Sequence, residues 1–209
     1  MRTAQDIFDE WSQTGQGEGM ETSHWPRVSQ VLTRIPAAMG NYLEIGLGNG
    51  YALEYMATHA FARGQCYGLD VSAEMVKSAQ ARLSRLKNVT LEQDDFLLWQ
   101  PRGKRFQVIF SMEVFYYFAD IRAGIAKAFD LLEPGGELIV MVDFFHENTE
   151  SHDWPEKMGT PMTLWSKTQY VDGFTNAGFA EVSQEEISGG PSRDGLTLCT
   201  RGRRAATVE

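Results

Sequence analysis

The run Tyr42-Leu43-Glu44-Ile45-Gly46-Leu47-Gly48-Asn49-Gly50-Tyr51 constrains the fold more than any other stretch of this 209-residue chain. Tyr42, Leu43 and Ile45 read as a short buried strand, and glycine then occupies every second position. Tyr51 to His59 follows with Leu53, Met56 and Ala57 at helical spacing. A strand that passes through a glycine loop into a helix opens an α/β sheet. Glycine accepts positive φ and lets a ligand lie against the main chain, while the helix start behind it gathers free N–H groups and the positive end of the dipole. The same residues would also make a tight turn with no ligand.

The rest of the chain continues this alternation. Gln65 to Leu69 predicts a second strand ending in Asp70, and Ser72 caps a helix with Met75, Val76, Ala79, Leu83 and Leu86 inward. Strands are expected at Val89–Glu92, Phe106–Ser111 and the almost wholly apolar Glu137–Val142, the last reading as a central parallel strand. Between the last two, Asp120 caps a helix with Ile121, Ile125, Phe129 and Leu132 inward, stopped by Pro134-Gly135-Gly136. Ser166 and Gln169 form a capping box before Tyr170 and Phe174, and strands Phe179–Ile187 and Leu196–Thr200 close the chain as a hairpin with a glycine-rich tip over 188–195. Arg201 to Glu209 is expected to fray, with Arg201, Arg203 and Arg204 in solvent. The pattern predicts one α/β domain over residues 1–209, a doubly wound, mostly parallel sheet with helices on both faces and an antiparallel last strand.

Ahead of the sheet, residues 1–36 read as a helical cap. Asp6–Trp11 places Ile7, Phe8 and Trp11 on one face, Ser12–Gly19 is a glycine-containing joint, and Trp25–Ile35 forms a second helix with Pro26 near its start. Residues 143–166 lose periodicity but carry Phe144, Phe145, His146, His152, Trp154, Met158, Met162 and Trp165. They are expected to form an insertion or lid, closed with Met20, His24 and Trp25 over the substrate beside Asp143, Phe144 and Trp154. Packing onto the sheet edge as extra core is the competing expectation.

A net charge of -9 argues against a nucleic-acid footprint and leaves a small molecule as the expected partner. No apolar run is long enough to span a bilayer and the first ten residues have no signal core, which predicts a cytoplasmic protein without membrane insertion. Cys66 and Cys199 are too few for a disulfide scaffold, and four histidines without tight pairing give no reason to expect a metal.

Glu44-x-Gly46-x-Gly48-x-Gly50 resembles the first motif of the class I S-adenosylmethionine-dependent methyltransferases; a dinucleotide fingerprint would carry its third glycine one place later. Ser111-Met112-Glu113-Val114 followed by aromatics, and Leu132-Glu133-Pro134-Gly135-Gly136 before an apolar strand, are similar to further motifs of that family. Gln107 departs from a usual Asp, and Tyr116-Tyr117 replace a common His. The resemblance spans roughly residues 41–201. It implies strand order 3-2-1-4-5-7-6, S-adenosylmethionine as methyl donor, and in-line transfer to a small-molecule acceptor. An acid ending the second strand is placed to accept two ribose hydroxyls, which assigns Asp70. The resemblance further assigns adenine to Asp94, the backbone of Asp95 and the wall Phe96, Leu97 and Leu98. Glu44, Gly46, Gly48, Gly50, Val71 and Ser111 complete the expected donor set. Glu113, Tyr116, Asp143 and His146 are the candidates for assisting proton removal. A nicotinamide oxidoreductase would share the fold but should bring a Tyr-x-x-x-Lys pair, and a non-catalytic binding module should have lost the loop or the ribose acid.

Overall fold

The computed structural model describes residues 2–14, 16–189 and 196–206. Helices α1 (Ala4–Thr14) and α2 (Gln16–Leu32) precede β1 (Asn41–Ile45), α3 (Tyr51–Thr58), β2 (Gln65–Asp70), α4 (Ala73–Leu83), β3 (Val89–Gln93), β4 (Phe106–Met112), α5 (Ile121–Leu131) and β5 (Leu132–Val142). After two short stretches that include α6 (Trp154–Met158), the chain ends in α7 (Lys167–Asn176), β6 (Ala180–Ser188) and β7 (Leu196–Arg203). One seven-stranded sheet runs β3-β2-β1-β4-β5-β7-β6, parallel through β5 and antiparallel at β7.

Side-chain alternation divides the core into two layers. Leu43, Ile45, Ile109, Leu138 and Val140 face one side with α5 and α7, against Phe115, Ile125 and Phe174. Tyr42, Val108, Phe110, Ile139 and Met141 face the other with α2, α3 and α4, against Val28, Met56 and Ala79. The sequence turns from the β1 side to the β4 side at the carboxyl ends of these two strands, where Ile45 lies in register with both Leu69 and Ser111. That is the switch point at which doubly wound sheets bind ligands.

Ser72, Asp120 and Ser166 cap α4, α5 and α7, the last with a complete capping box. Gln107, the departure from Asp, accepts the Gly40 N–H at 2.9 Å and so ties the entry of β1 to β4. Cys66 and Cys199 are free and buried on strands four positions apart.

Several expectations are corrected. The glycines of 12–19 do not make a joint of that length: α1 runs to Thr14 and α2 starts at Gln16, so Pro26 lies inside α2. Leu86 falls in the turn after α4, although it still packs on the same core layer. Strand β5 begins five residues before Glu137, because Leu132 pairs with Phe106 ahead of a bulge and Gly135 and Gly136 are held by backbone bonds to Arg204. The arginines at the end are ordered and bonded: Arg201 meets Glu137 at 2.9 Å, and the Arg204 guanidinium donates to the Phe129 and Leu132 carbonyls at 3.1 and 3.0 Å, closing the C-terminus of α5. Most of the expected hairpin tip, 190–195, and residues 207–209 lie outside the described residues.

Candidate active site

At the carboxyl ends of β1, β2 and β4 two cavities adjoin. The first, of about 190 Å³, is lined by Glu44, the 46–49 loop, Asp70, Val71, Asp94, Asp95 and Phe96 on the strand side, with Ala4 and Phe8 of α1 above. The second, of about 420 Å³, is lined by Phe8, Trp11, Ser23, Tyr116, Trp154, Lys157 and Met158 among others. Phe8, Met20, His24, Glu113 and Tyr117 belong to both, and so form the wall between them.

The first cavity is shaped by backbone. Gly46 has φ +72, and a Cβ there would sit 2.2 Å from the Val114 side chain; Gly50 has φ +83 and would press a Cβ against Leu83 and Ala79. Bare main chain at these points lets β1, α4 and the turn after β4 approach one another. Gly50 caps α3 without a side-chain bond of its own, and the Tyr51 N–H at the helix start donates to Asn49 Oδ1 at 3.3 Å, both residues standing in the cavity wall. Asp70 accepts one backbone N–H on each oxygen, from Gly48 and from Ser72, both at 2.9 Å. Lone-pair directions not taken by backbone donors remain for hydroxyl groups. Burial pushes the Asp70 carboxyl up to about 6, against the lowering effect of those N–H bonds. Glu44 is pushed further, to about 8, by burial and by the Asp70 charge, and it accepts the Tyr42 hydroxyl at 3.3 Å.

Glu113 holds the junction. It follows β4 at φ +62, a conformation that β-carbon-bearing residues avoid and that concentrates where function demands it. Its Oε2 accepts the Tyr116 hydroxyl at 2.9 Å, and its Oε1 accepts the Asp143 N–H. Burial and the neighbouring Asp143 charge raise its carboxyl well above the ordinary range. Asp143 is itself bound by Arg27 of α2 at 2.8 Å and by the Thr197 hydroxyl. Burial, aided by Arg27 one turn along, pushes the His24 ring down to about 4, so it is neutral at physiological pH.

Of the expected donor residues, Glu44, Gly46, Gly48, Asp70, Val71, Asp94, Asp95 and Phe96 line the first cavity. Two do not. Ser111 points into the sheet and donates to the Ile45 carbonyl at 3.1 Å, and Gly50 lies behind the loop against α4. Leu98 is 72% exposed and Leu97 packs on the core, so the expected apolar wall reduces to Phe96, stacked on Phe118. His146 is also displaced: its ring is exposed, and its backbone carbonyl bonds His152, outside both cavities. Asp143 and Phe144 support the second cavity from behind, through Glu113 and through Tyr116 and Trp154. Trp25 packs on Tyr51 and Tyr55 and lines neither cavity. Ala4, Phe8, Trp11 and Arg27 were not singled out. Phe8 and Trp11 were legible as an apolar face, but nothing in a local pattern says which cavity such a face covers.

A methyltransferase-domain family model matches residues 21–184, a span that contains the loop, Asp70, Glu113 and Asp143. The chain belongs to that family. It is a class I S-adenosylmethionine-dependent methyltransferase, with the seven-stranded order of that fold. A chain of the Haloferax volcanii complex between the Trm112 methyltransferase activator and a methyltransferase is 29% identical, with TM-score 0.85 over 98% of this methyltransferase and 99% of that chain. The N-methyltransferase NodS from Bradyrhizobium japonicum, solved with S-adenosylhomocysteine, has TM-score 0.67 at 24% identity, covering 85% of each chain. Trans-aconitate 2-methyltransferase from Methylobacterium radiotolerans is 29% identical over 64% of this chain, which spans about half of that relative's length, 53%. No described helix is long and apolar enough to cross a membrane, and no cluster of three potential metal ligands occurs among the described residues.

Proposed function

We propose that this methyltransferase binds S-adenosylmethionine in the first cavity and a small-molecule acceptor in the second, with transfer across the wall made by Phe8, Met20, His24, Glu113 and Tyr117. The observation that carries this reading is that two cavities meet at the switch point and share that wall. The donor supplies an electrophilic methyl group on a sulfonium, which becomes a neutral thioether on transfer. Asp70 would take the ribose hydroxyls on its free lone pairs, and Phe96, Val71 and Phe118 would enclose the adenine with Asp94 and Asp95 at its edge. Glu44, buried beneath the loop, is the candidate for the amino acid part of the donor, whose ammonium would ionise it.

The chain's own contribution is alignment and exclusion of water. Tyr116 and the Asp143 N–H hold the Glu113 carboxyl at the wall, where it can accept a proton from an acceptor. The lid role passes mainly to α1, with Trp154 and Met158 as the far side of the second cavity. A first cavity of about 190 Å³ is smaller than the roughly 300–1,000 Å³ usual for ligand sites, so α1 must lift to admit the donor.

Calorimetric titration with S-adenosylmethionine, S-adenosylhomocysteine and NAD tests the donor site, and release of S-adenosylhomocysteine over a panel of small acceptors tests the second cavity. Binding of the first two but not NAD, with turnover of at least one small acceptor, is expected. Turnover confined to protein or RNA acceptors would overturn the small-molecule reading. A second reading, that a Trm112-like activator joins this chain, is favoured by its likeness to the Haloferax volcanii complex, and co-expression with such a protein would test it by co-purification.

A further inference from the structure

The composition of the second cavity selects among acceptors. Five aromatic residues line it, Phe8, Trp11, Tyr116, Tyr117 and Trp154, and they brace one another. Phe8 packs edge-on to both Trp11 and Tyr117 at 5.5 Å, Tyr116 and Tyr117 lie 4.6 Å apart, and Trp154 stacks on the buried Phe144 behind it. One acid, Glu113, stands at the end nearest the donor. The cations are engaged elsewhere: Arg27 is bonded to Asp143 and the Ser23 carbonyl, and Lys157, the one basic side chain among the described lining residues, is largely exposed and paired with Asp153.

Resting on the methyl-transfer reading, we propose that the acceptor is an amine, held as an ammonium among the aromatic rings with its nitrogen at Glu113, and that the reaction is N-methylation. Aromatic rings attract cations by about 0.5–2 kcal/mol each as desolvation increases, and a carboxylate adds the opposite charge. A carboxylate acceptor would stand against Glu113 with only Arg27, already paired with Asp143, to offset it, and a neutral hydroxyl would lack the cation's attraction to the rings. The chemistry also fits. An ammonium beside Glu113 would offset the burial that raises its carboxyl and so ionise it, and the same raised proton affinity suits the carboxylate to take the N–H proton, which a carboxyl of ordinary acidity would do poorly. The nitrogen lone pair so freed forms the new C–N bond, the S–C bond breaks with its electron pair retained by sulfur, and the positive charge that develops on nitrogen stays among rings suited to hold it.

Choline and its neutral carbon isostere 3,3-dimethylbutan-1-ol separate charge from shape, and 3,3-dimethylbutanoate supplies the anion. Each is titrated into protein saturated with S-adenosylhomocysteine, read by tryptophan fluorescence and calorimetry. Choline is expected to bind at least tenfold more tightly than the other two, and Trp154→Leu or, independently, Trp11→Leu to weaken choline about tenfold while S-adenosylhomocysteine binds within twofold of the wild type. Equal binding of choline and its isostere, preference for the anion, or no response to choline overturns the amine assignment and leaves the donor site standing. Failure to bind S-adenosylhomocysteine at the outset overturns the methyl-transfer reading itself, and the amine with it.

Discussion

The two cavities are built in different ways. The first, proposed for the donor, draws on the backbone of the glycine loop and on residues a few positions from a strand end: Gly46, Gly48, Asp70, Val71 and Asp94. The second, proposed for the acceptor, is made of side chains brought from four separate stretches, α1, α2, the turn after β4 and α6. A binding surface made by backbone turns is set by local geometry, whereas one made by converging side chains depends on every packing contact that brings its segments together. Perturbations should therefore separate the two.

The largest effect is expected at Arg27→Gln. Removing one partner of a buried ion pair leaves the other charge uncompensated, at a cost of about 3–5 kcal/mol, and here it also releases α2 from the end of β5. Chemical denaturation should show that loss, and turnover should fall much further than S-adenosylhomocysteine affinity. A parallel fall in both would break the distinction between the two sides.

Next comes Glu44→Gln. The folded-state value of about 8 against 4.5 means that the native state holds a proton the unfolded chain gives up, so stability declines as pH rises from about 4.5 to about 8. At about 1.4 kcal/mol per unit the decline is on the order of a few kcal/mol. The glutamine variant should flatten it and be the more stable protein at pH 8.5 by thermal unfolding. An unchanged pH profile would show that Glu44 is not the buried titrating group on the donor side.

Asp70→Ala should weaken S-adenosylhomocysteine by about 1.5–3 kcal/mol, on the order of 10- to 150-fold, with little change in acceptor selectivity. In the wild type, donor affinity should also decline as pH falls through about 6, where Asp70 gains its proton. Calorimetry across pH 5 to 8, a range of about three units bracketing that value, checks both; a flat profile would remove Asp70 from the ribose role. The smallest effect is at His146→Ala, whose exposed ring lies outside both cavities: turnover is expected within about twofold of the wild type. A larger loss would mean that the 143–166 stretch reaches the acceptor in the working enzyme.

The same division governs what could be read from the sequence. The glycine loop, the acid ending β2 and the caps at Ser72, Asp120 and Ser166 were legible because each rests on a short-range pattern that the fold leaves undisturbed, whereas the strand order came from the family resemblance. Ser111 was misplaced because a strand-end residue has two faces, and the register with Ile45 turns this one inward. The N-terminal boundary was missed because glycines at 17 and 19 argue for a loop, yet α2 starts at Gln16 and includes both. The arginines at the end looked idle because their partners, Glu137 and the last carbonyls of α5, lie some 65 to 75 positions earlier in the chain. The acceptor wall was least legible of all, since Phe8, Tyr117 and Trp154 become neighbours only when three elements pack.

One hydroxyl carries a consequence for kinetics. Ser72 receives the Met75 N–H that starts α4 and donates to Asp9 of α1 at 2.5 Å, two residues from Asp70. The helix fastened there supplies Phe8 to both cavities and Trp11 to the second, so neither wall is complete until α1 is seated. If α1 seats only over a bound donor, substrates would arrive in a compulsory order, donor first, and the spent donor would leave last. In steady-state terms S-adenosylhomocysteine would compete with the donor but not with the acceptor, and Asp9→Ala, by loosening the latch, would relax the order toward random addition.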